Sequence, residues 1–251
     1  MKRKSVYSYY AFGYNYRNLR LSNEGLTYKQ ASNRIKELFD YCDDLDLKVT
    51  KMAATDLRNL KEEIDQSDPT KVIPDSLADK IITAVDAIDT TLDAELKLVS
   101  AYILNPKRFA LKDLLESPEN LFGDSVFENL RSDVRIDVKL GLKCLAFHRS
   151  TASAFHILRA TEGAIRDLYF CHIKRNRIAK PMWFGMVDAL RKKNKPKPSD
   201  ELLDHLDVIR KNYRNPTQHP DKFYSMDEAQ DLMSNCISAL NMISACIKKK
   251  A

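Results

Sequence analysis

Apolar residues recur at helical spacing over most of the chain. From Thr27 to about Ile64 they set Ala31, Ile35, Leu38 and Phe39 on one stripe, which predicts a long helix. Asp68-Pro69 breaks the pattern. A second helix is predicted from Asp75 to Leu104, with Leu77, Ile81, Ile82, Val85, Ile88, Leu92, Leu96 and Val99 three or four apart. The two together predict an antiparallel hairpin of long helices, closed by Asn105-Pro106. Ahead of them, Tyr7, Tyr9, Tyr10, Phe12, Tyr14 and Tyr16 crowd an irregular start, read as a short strand or a segment packed across the helices.

Residues 105–130 carry Pro106, Pro118 and Gly123 and read as a linker with short helical pieces. Between Val134 and Cys144 apolar residues alternate as in a strand, yet Val134, Val138, Leu142 and Leu145 also form a helical stripe. Helix is the choice made here. Ser150 to about Arg175 is a long helix with Ala154, Ile157, Leu158, Thr161, Ala164, Ile165 and Leu168 inward. A shorter helix covers 181–192. Ser199 is placed to cap the next one, whose stripe is Leu202, Leu206, Ile209 and Tyr213. Pro216 predicts that this helix stops near Arg214. Ser225 and Glu228 fit a capping box that opens a last helix.

The predicted fold is therefore all-α. An N-terminal helical extension spans 1–123, and an up-and-down helical domain spans 124–251. Composition narrows the chemistry. Only 6 of the 251 residues are glycine, and these are scattered, which excludes Gly-rich phosphate loops. The five cysteines form no CxxC pair, which argues against a zinc site or a disulfide framework. No apolar run suits a transmembrane helix, and the opening ten residues lack the pattern of a secretory signal. A reducing cytoplasm is the expected compartment, with no metal, no cofactor and no membrane contact.

The stretch from Lys211 to Asp221 carries the most chemistry. Arg214 closes one helix, Asn215 and Pro216 follow, and His219 stands five residues after the arginine. Arg offers a permanent, planar charge suited to a phosphate. His moves protons near neutral pH. Together they are a minimal set for metal-free cleavage of an RNA phosphodiester.

This Arg214-Asn215-x-x-x-His219 pattern, between two C-terminal helices, resembles the motif of the HEPN superfamily. The helix around Thr151–Arg166 is similar to the second helix of such domains, and the resemblance covers roughly residues 124–250. It implies a helical bundle that dimerises, as a homodimer or a pseudo-symmetric heterodimer, so that two Arg/His motifs share one cleft. It implies a metal-independent endoribonuclease of a toxin–antitoxin or phage-defence system, with an antitoxin or defence protein as partner. Some members instead serve as non-catalytic scaffolds or binding modules. Arg214, His219 and Asn215 take the catalytic positions. In one subgroup, paired with a nucleotidyltransferase, a Tyr stands two residues after the His; here that position is Asp221, with Tyr224 further on.

Glu162 has Arg159 and Arg166 at helical pairing distance. Two readings stay open: an intrahelical ion pair, or Glu162 or Arg159 reaching the Arg214/His219 site to orient it. His156, one turn from Arg159, reads as an ordinary surface or half-buried histidine. Residues 174–197 hold nine basic residues and one acid, a local +8 in a chain of net charge +6. Lys174, Arg175, Arg177, Lys180, Arg191, Lys192 and Lys193 are the candidate track for an RNA backbone. Tyr169, Phe170, Trp183 and Phe184 are candidate base-stacking rings, with Trp183 and Phe184 more simply read as core.

Overall fold

The computed structural model describes residues 4–21, 23–100, 103–175 and 177–248. In chain order these form α1 (Val6–Leu21), α2 (Tyr28–Leu45), α3 (Lys48–Ala53), α4 (Thr55–Asp65), α5 (Asp75–Lys97), α6 (Leu111–Leu115), a 3-10 turn (Pro118–Leu121), α7 (Val126–Asn129), α8 (Ser132–Ala146), α9 (Ser150–His172), α10 (Trp183–Lys192), α11 (Asp200–Ile209), a π-helical turn (Arg210–Arg214), α12 (Asn215–Thr217) and α13 (Met226–Lys248). Among the described residues no strand forms, and one isolated bridge pairs Thr27 with Val72. The fold is all-α. The alternating stretch at 134–144 is helix.

The chain divides into residues 1–102 and 103–251, each with its own core. The division lies some twenty residues before the expected boundary at 123/124. The segment read as a linker anchors itself in the second unit, where Leu114, Val126 and Phe127 are buried.

In the first unit the helix predicted over 27–64 is three helices. The second break is at Ala54, and the first is at Asp46, which adopts φ 62°. The amide of Leu47 donates back to the Cys42 carbonyl at 2.8 Å, and buried Leu47 seals the turn. Glycine usually marks such a left-handed cap, and an aspartate there gives little warning. The break also supplies the amides that Glu95 of α5 receives: Val49 and Thr50 donate to its carboxylate at 2.9 and 2.8 Å. Burial pushes the Glu95 carboxyl up, but these donors outweigh it and hold it below its ordinary value. Of the predicted stripe, Leu77, Ile81, Val85, Ile88 and Leu92 are buried and Ile82 and Leu96 half-buried, but α5 ends at Lys97 and leaves Val99 exposed. Its last amides, on Leu98 and Val99, turn to carbonyls three residues back. The remaining stretch to Leu104 is not helical where described, and positions 101 and 102 lie outside the described residues. The tyrosine-rich start is helix α1, neither strand nor irregular. Phe12 is buried, Tyr9 and Tyr16 pack on the core, and Tyr7, Tyr10 and Tyr14 face outward.

In the second unit α8 and α9 form an antiparallel pair with glycine at two close approaches. A Cβ on Gly141 would lie 3.4 Å from the Ile157 amide nitrogen, and one on Gly163 would lie 2.8 Å from Val134 Cγ2. Around this pair α10, α11 and α13 close a core through Met186, Leu190, Leu202, Leu206, Leu232, Leu240 and Ile243. Ser199 accepts the Leu202 amide, and the Ser225–Glu228 capping box forms with bonds of 2.8 and 3.1 Å.

Glu95→Ala should cost about 1 kcal/mol in denaturant unfolding, the scale of a lost helix cap. Because the folded carboxyl titrates low, its contribution is complete above the ordinary carboxylate range. It fades as pH falls through the lowered value, so wild type and variant converge in acid. Gly163→Ala should destabilise by about 1–2 kcal/mol despite alanine's better helix propensity, since Val134 must move. Gly13→Ala, with nothing within 4 Å of the new Cβ, should have the opposite sign.

Candidate functional site

The site begins with the backbone of Arg210–Arg214. The helix of α11 does not stop at Arg214 as Pro216 predicts. It widens into a π turn, the Asn215 amide bonds the Arg210 carbonyl five residues back, and the helical path runs on to Thr217. A proline in a regular helix loses one bond and presses on the carbonyl four residues back. The wider turn relieves that conflict, so Arg214 projects from the middle of a helical run.

Beyond Thr217 the chain forms a short arm tied down by Tyr224. The Tyr224 hydroxyl lies 2.7 Å from Thr217 Oγ1 and donates to the Tyr213 carbonyl at 3.0 Å. The Tyr224 amide donates to Thr151 Oγ1 at 3.1 Å, and Ser150 Oγ donates to its carbonyl at 2.5 Å. Burial raises the phenol above its usual range, which keeps the donor protonated. This tyrosine is a buried pin, with no exposed hydroxyl to modify.

Arg214 reaches across to α9. Its Nε and Nη2 both donate to Oε2 of Glu162 at 3.3 Å, with the side chains 21% and 20% exposed. Of the two readings left open for Glu162, this contact answers one: its partner is Arg214, across the fold, and not a neighbour on its own helix. The bonds are longer than the 2.7–2.9 Å usual for charge-assisted pairs, so the arginine is oriented but not tightly held. Asn215 and His219 are exposed, and the His219 amide caps the Pro216 carbonyl at 3.0 Å.

Arg159 does not join Glu162. Its Nε and Nη2 donate to Oδ2 of Asp137 on α8, at 3.1 and 3.0 Å, and His156 Nδ1 lies 3.0 Å from the other oxygen. Asp137 was missed in the sequence. The available signal was an acid on the apolar stripe of Val134, Val138 and Gly141.

The basic stretch is less open than its charge count suggests. Arg191 is held between Asp204 and Asp207 at 2.9 and 3.0 Å, and Lys192 pairs with Asp188 at 2.8 Å. Lys193 Nζ donates to the Asn194 carbonyl at 3.3 Å. Arg177 donates to the Ile173 carbonyl and lies over the Phe170 ring at 4.7 Å. Lys174, Arg175 and Lys180 are exposed. Of the four rings, Trp183 and Tyr169 are core: the indole N–H donates to the Leu206 carbonyl at 3.2 Å, and the Tyr169 hydroxyl accepts the Ile178 amide at 2.8 Å. Phe170 and Phe184 are exposed, the latter 5.0 Å from the Arg210 guanidinium.

Among the described residues no group of three or more His, Cys, Asp or Glu is placed to hold a metal ion, and no helix is long and apolar enough to cross a membrane. No family model matches the chain, and no curated protein and no solved structure matches it either.

Tyr224→Phe should lower stability by about 1 kcal/mol, because the Tyr213 carbonyl loses the phenol donor while Thr217 keeps its own 2.6 Å bond to that carbonyl. Thermal unfolding checks this. Limited proteolysis should find the 218–223 arm more readily cut than in wild type.

Proposed function

We propose that the chain is a metal-independent endoribonuclease of HEPN type, working in a toxin–antitoxin or phage-defence setting. The observation that supports this reading best is the Arg214–Glu162 contact, with exposed His219 five residues on in an arm fastened at both ends. Glu162 orients the arginine while the long bonds leave its fork exchangeable. An incoming phosphate outcompetes a weakly held carboxylate because it brings its own charge to a guanidinium that is still partly open to solvent. His219 then exchanges protons with the attacking 2′-hydroxyl or the leaving oxygen, and Arg214 stabilises charge on the phosphoryl oxygens. Asn215 is assigned beside them. One histidine per motif serves one proton transfer at a time. A two-fold dimer that juxtaposes two motifs supplies the second.

A second reading is favoured by the same ion pair. An arginine already engaged by a carboxylate suits a binding or scaffold module that holds a nucleic acid, a nucleotide or a partner protein without cleaving it.

Incubating the protein with total RNA in EDTA separates the two. Cleavage that drops about 100-fold or more in His219→Ala and Arg214→Ala supports the enzyme, given the usual worth of an acid–base group. RNA binding without cleavage, unchanged by His219→Ala, supports the module. Wild type mixed with His219→Ala should lose activity out of proportion to dilution if the site is shared between protomers.

A further inference from the structure

The cluster of Asp137, His156 and Arg159 stands outside the roles assigned above, and its position is informative. The arm from Arg214 to Tyr224 meets α9 at two points, Glu162 and Thr151. These points are about 16 Å apart along the helix, at 1.5 Å per residue. The arm therefore runs antiparallel to α9, and His219 lies midway along it in sequence. The α9 residues between the anchors include His156 and Arg159.

Asp137 is a carboxylate whose side chain is only 10% exposed, and a buried charge of that kind is costly unless fully bonded. Two cationic or donor side chains from the next helix satisfy it. His156 turns Nδ1 toward Asp137, so Nε2 lies on the ring edge away from it. Arg159 uses its Nε and Nη2 on Asp137, yet its side chain is 69% exposed, which leaves the Nη1 edge of the fork facing outward. Arg159 sits one turn from Glu162, about 60° round α9 toward α8 and about 4.5 Å along the axis, with His156 about 60° and 4.5 Å further. Exposed Arg166 continues the line on the far side of Glu162. The cations along the strip are Arg214, Arg159 and Arg166, and its acids are Glu162, Asp137 and Asp167, the last facing Arg131 as well as Arg166.

We propose that His156 and Arg159, fastened by Asp137, form a second phosphate subsite that takes the backbone phosphate next to the one at Arg214. The proposal rests on the ribonuclease reading and deepens it: the substrate is an RNA strand gripped at successive phosphates along α9. Asp137 is a positioning residue, since it touches the two side chains and not the strand.

The test uses uncleavable 2′-deoxy dinucleotides, bare or carrying a 5′- or a 3′-phosphate, titrated calorimetrically into the full chain. For wild type one terminal phosphate should strengthen binding about tenfold, the scale of a charge-assisted contact. That gain should fall to about twofold or less in Arg159→Ala and His156→Gln, with binding of the bare dinucleotide little changed. Asp137→Asn should reduce the gain as well, and circular dichroism should show each variant folded. If Asp137 merely joins two helices, Asp137→Asn lowers the melting temperature and leaves the gain intact, which overturns the proposal. A full gain retained in Arg159→Ala overturns it too. Wild type that binds the dinucleotides with no gain from either phosphate removes the subsite and leaves the Arg214 reading standing. Wild type that binds none of them and cleaves no RNA removes both.

Discussion

The Tyr224 hydroxyl sits between Thr217 and the carbonyl of Tyr213, buried from water. Polar groups in such a place must bond one another, because no solvent takes over if they separate. The same residue's backbone is held by Ser150 and Thr151 at the start of α9. One side chain thus closes the arm onto the helix that precedes it and the backbone closes it onto another. Everything exposed between Thr217 and Tyr224, His219 included, inherits its position from that knot. Arg214 depends on it indirectly, since Tyr213 is both the acceptor for the knot and the residue next to the arginine.

A second constraint is how closely α8 and α9 approach. Glycine at 141 and 163 brings the two backbones together, and Asp137 lies between those contacts. A carboxylate at so tight a seam has few partners within reach. The two it finds, His156 and Arg159, are drawn toward α8, which is why Arg159 is absent from Glu162. Glu162 is then available to Arg214. Glu162 is bonded across the fold by Arg214, although Arg166 stands one turn away on its own helix.

The helical class and most of the core were legible because period and burial agree: Ile35, Leu38, Ile81, Ile88, Leu142, Ile165 and Leu206 fall on predicted stripes and are buried. Caps written in side chains, at Ser199 and Ser225, were legible for the same local reason. The break at Asp46 was not, because a left-handed cap without glycine leaves no compositional mark. Nor was the continuation past Pro216. Proline's effect on a regular helix is predictable, whereas the π turn that accommodates it is set by tertiary contacts. Within the candidate site, Arg214, Asn215 and His219 could be picked out as chemistry in sequence. The partner of Glu162 could not, since the choice between residues three, four or fifty-two positions away is decided by packing. The basic run showed charge but hid its neutralisation, because Asp204 and Asp207 come from the following helix.

The π turn carries one residue more than an ordinary turn would need, and that surplus sets a phase. Each residue in a regular helix advances the side chains by 100°. Taking one residue out of 210–214 would return the turn to ordinary pitch and set the Pro216 ring against the carbonyl four residues back, while adding one would rotate Thr217 and all that follows against the buried face of Leu202, Leu206 and Ile209. Substitutions along the exposed side of this segment do neither. The segment is therefore constrained in length more strictly than in composition. Divergent relatives of this chain could exchange most of its surface residues, yet they would need to keep the count between Ile209 and Tyr224.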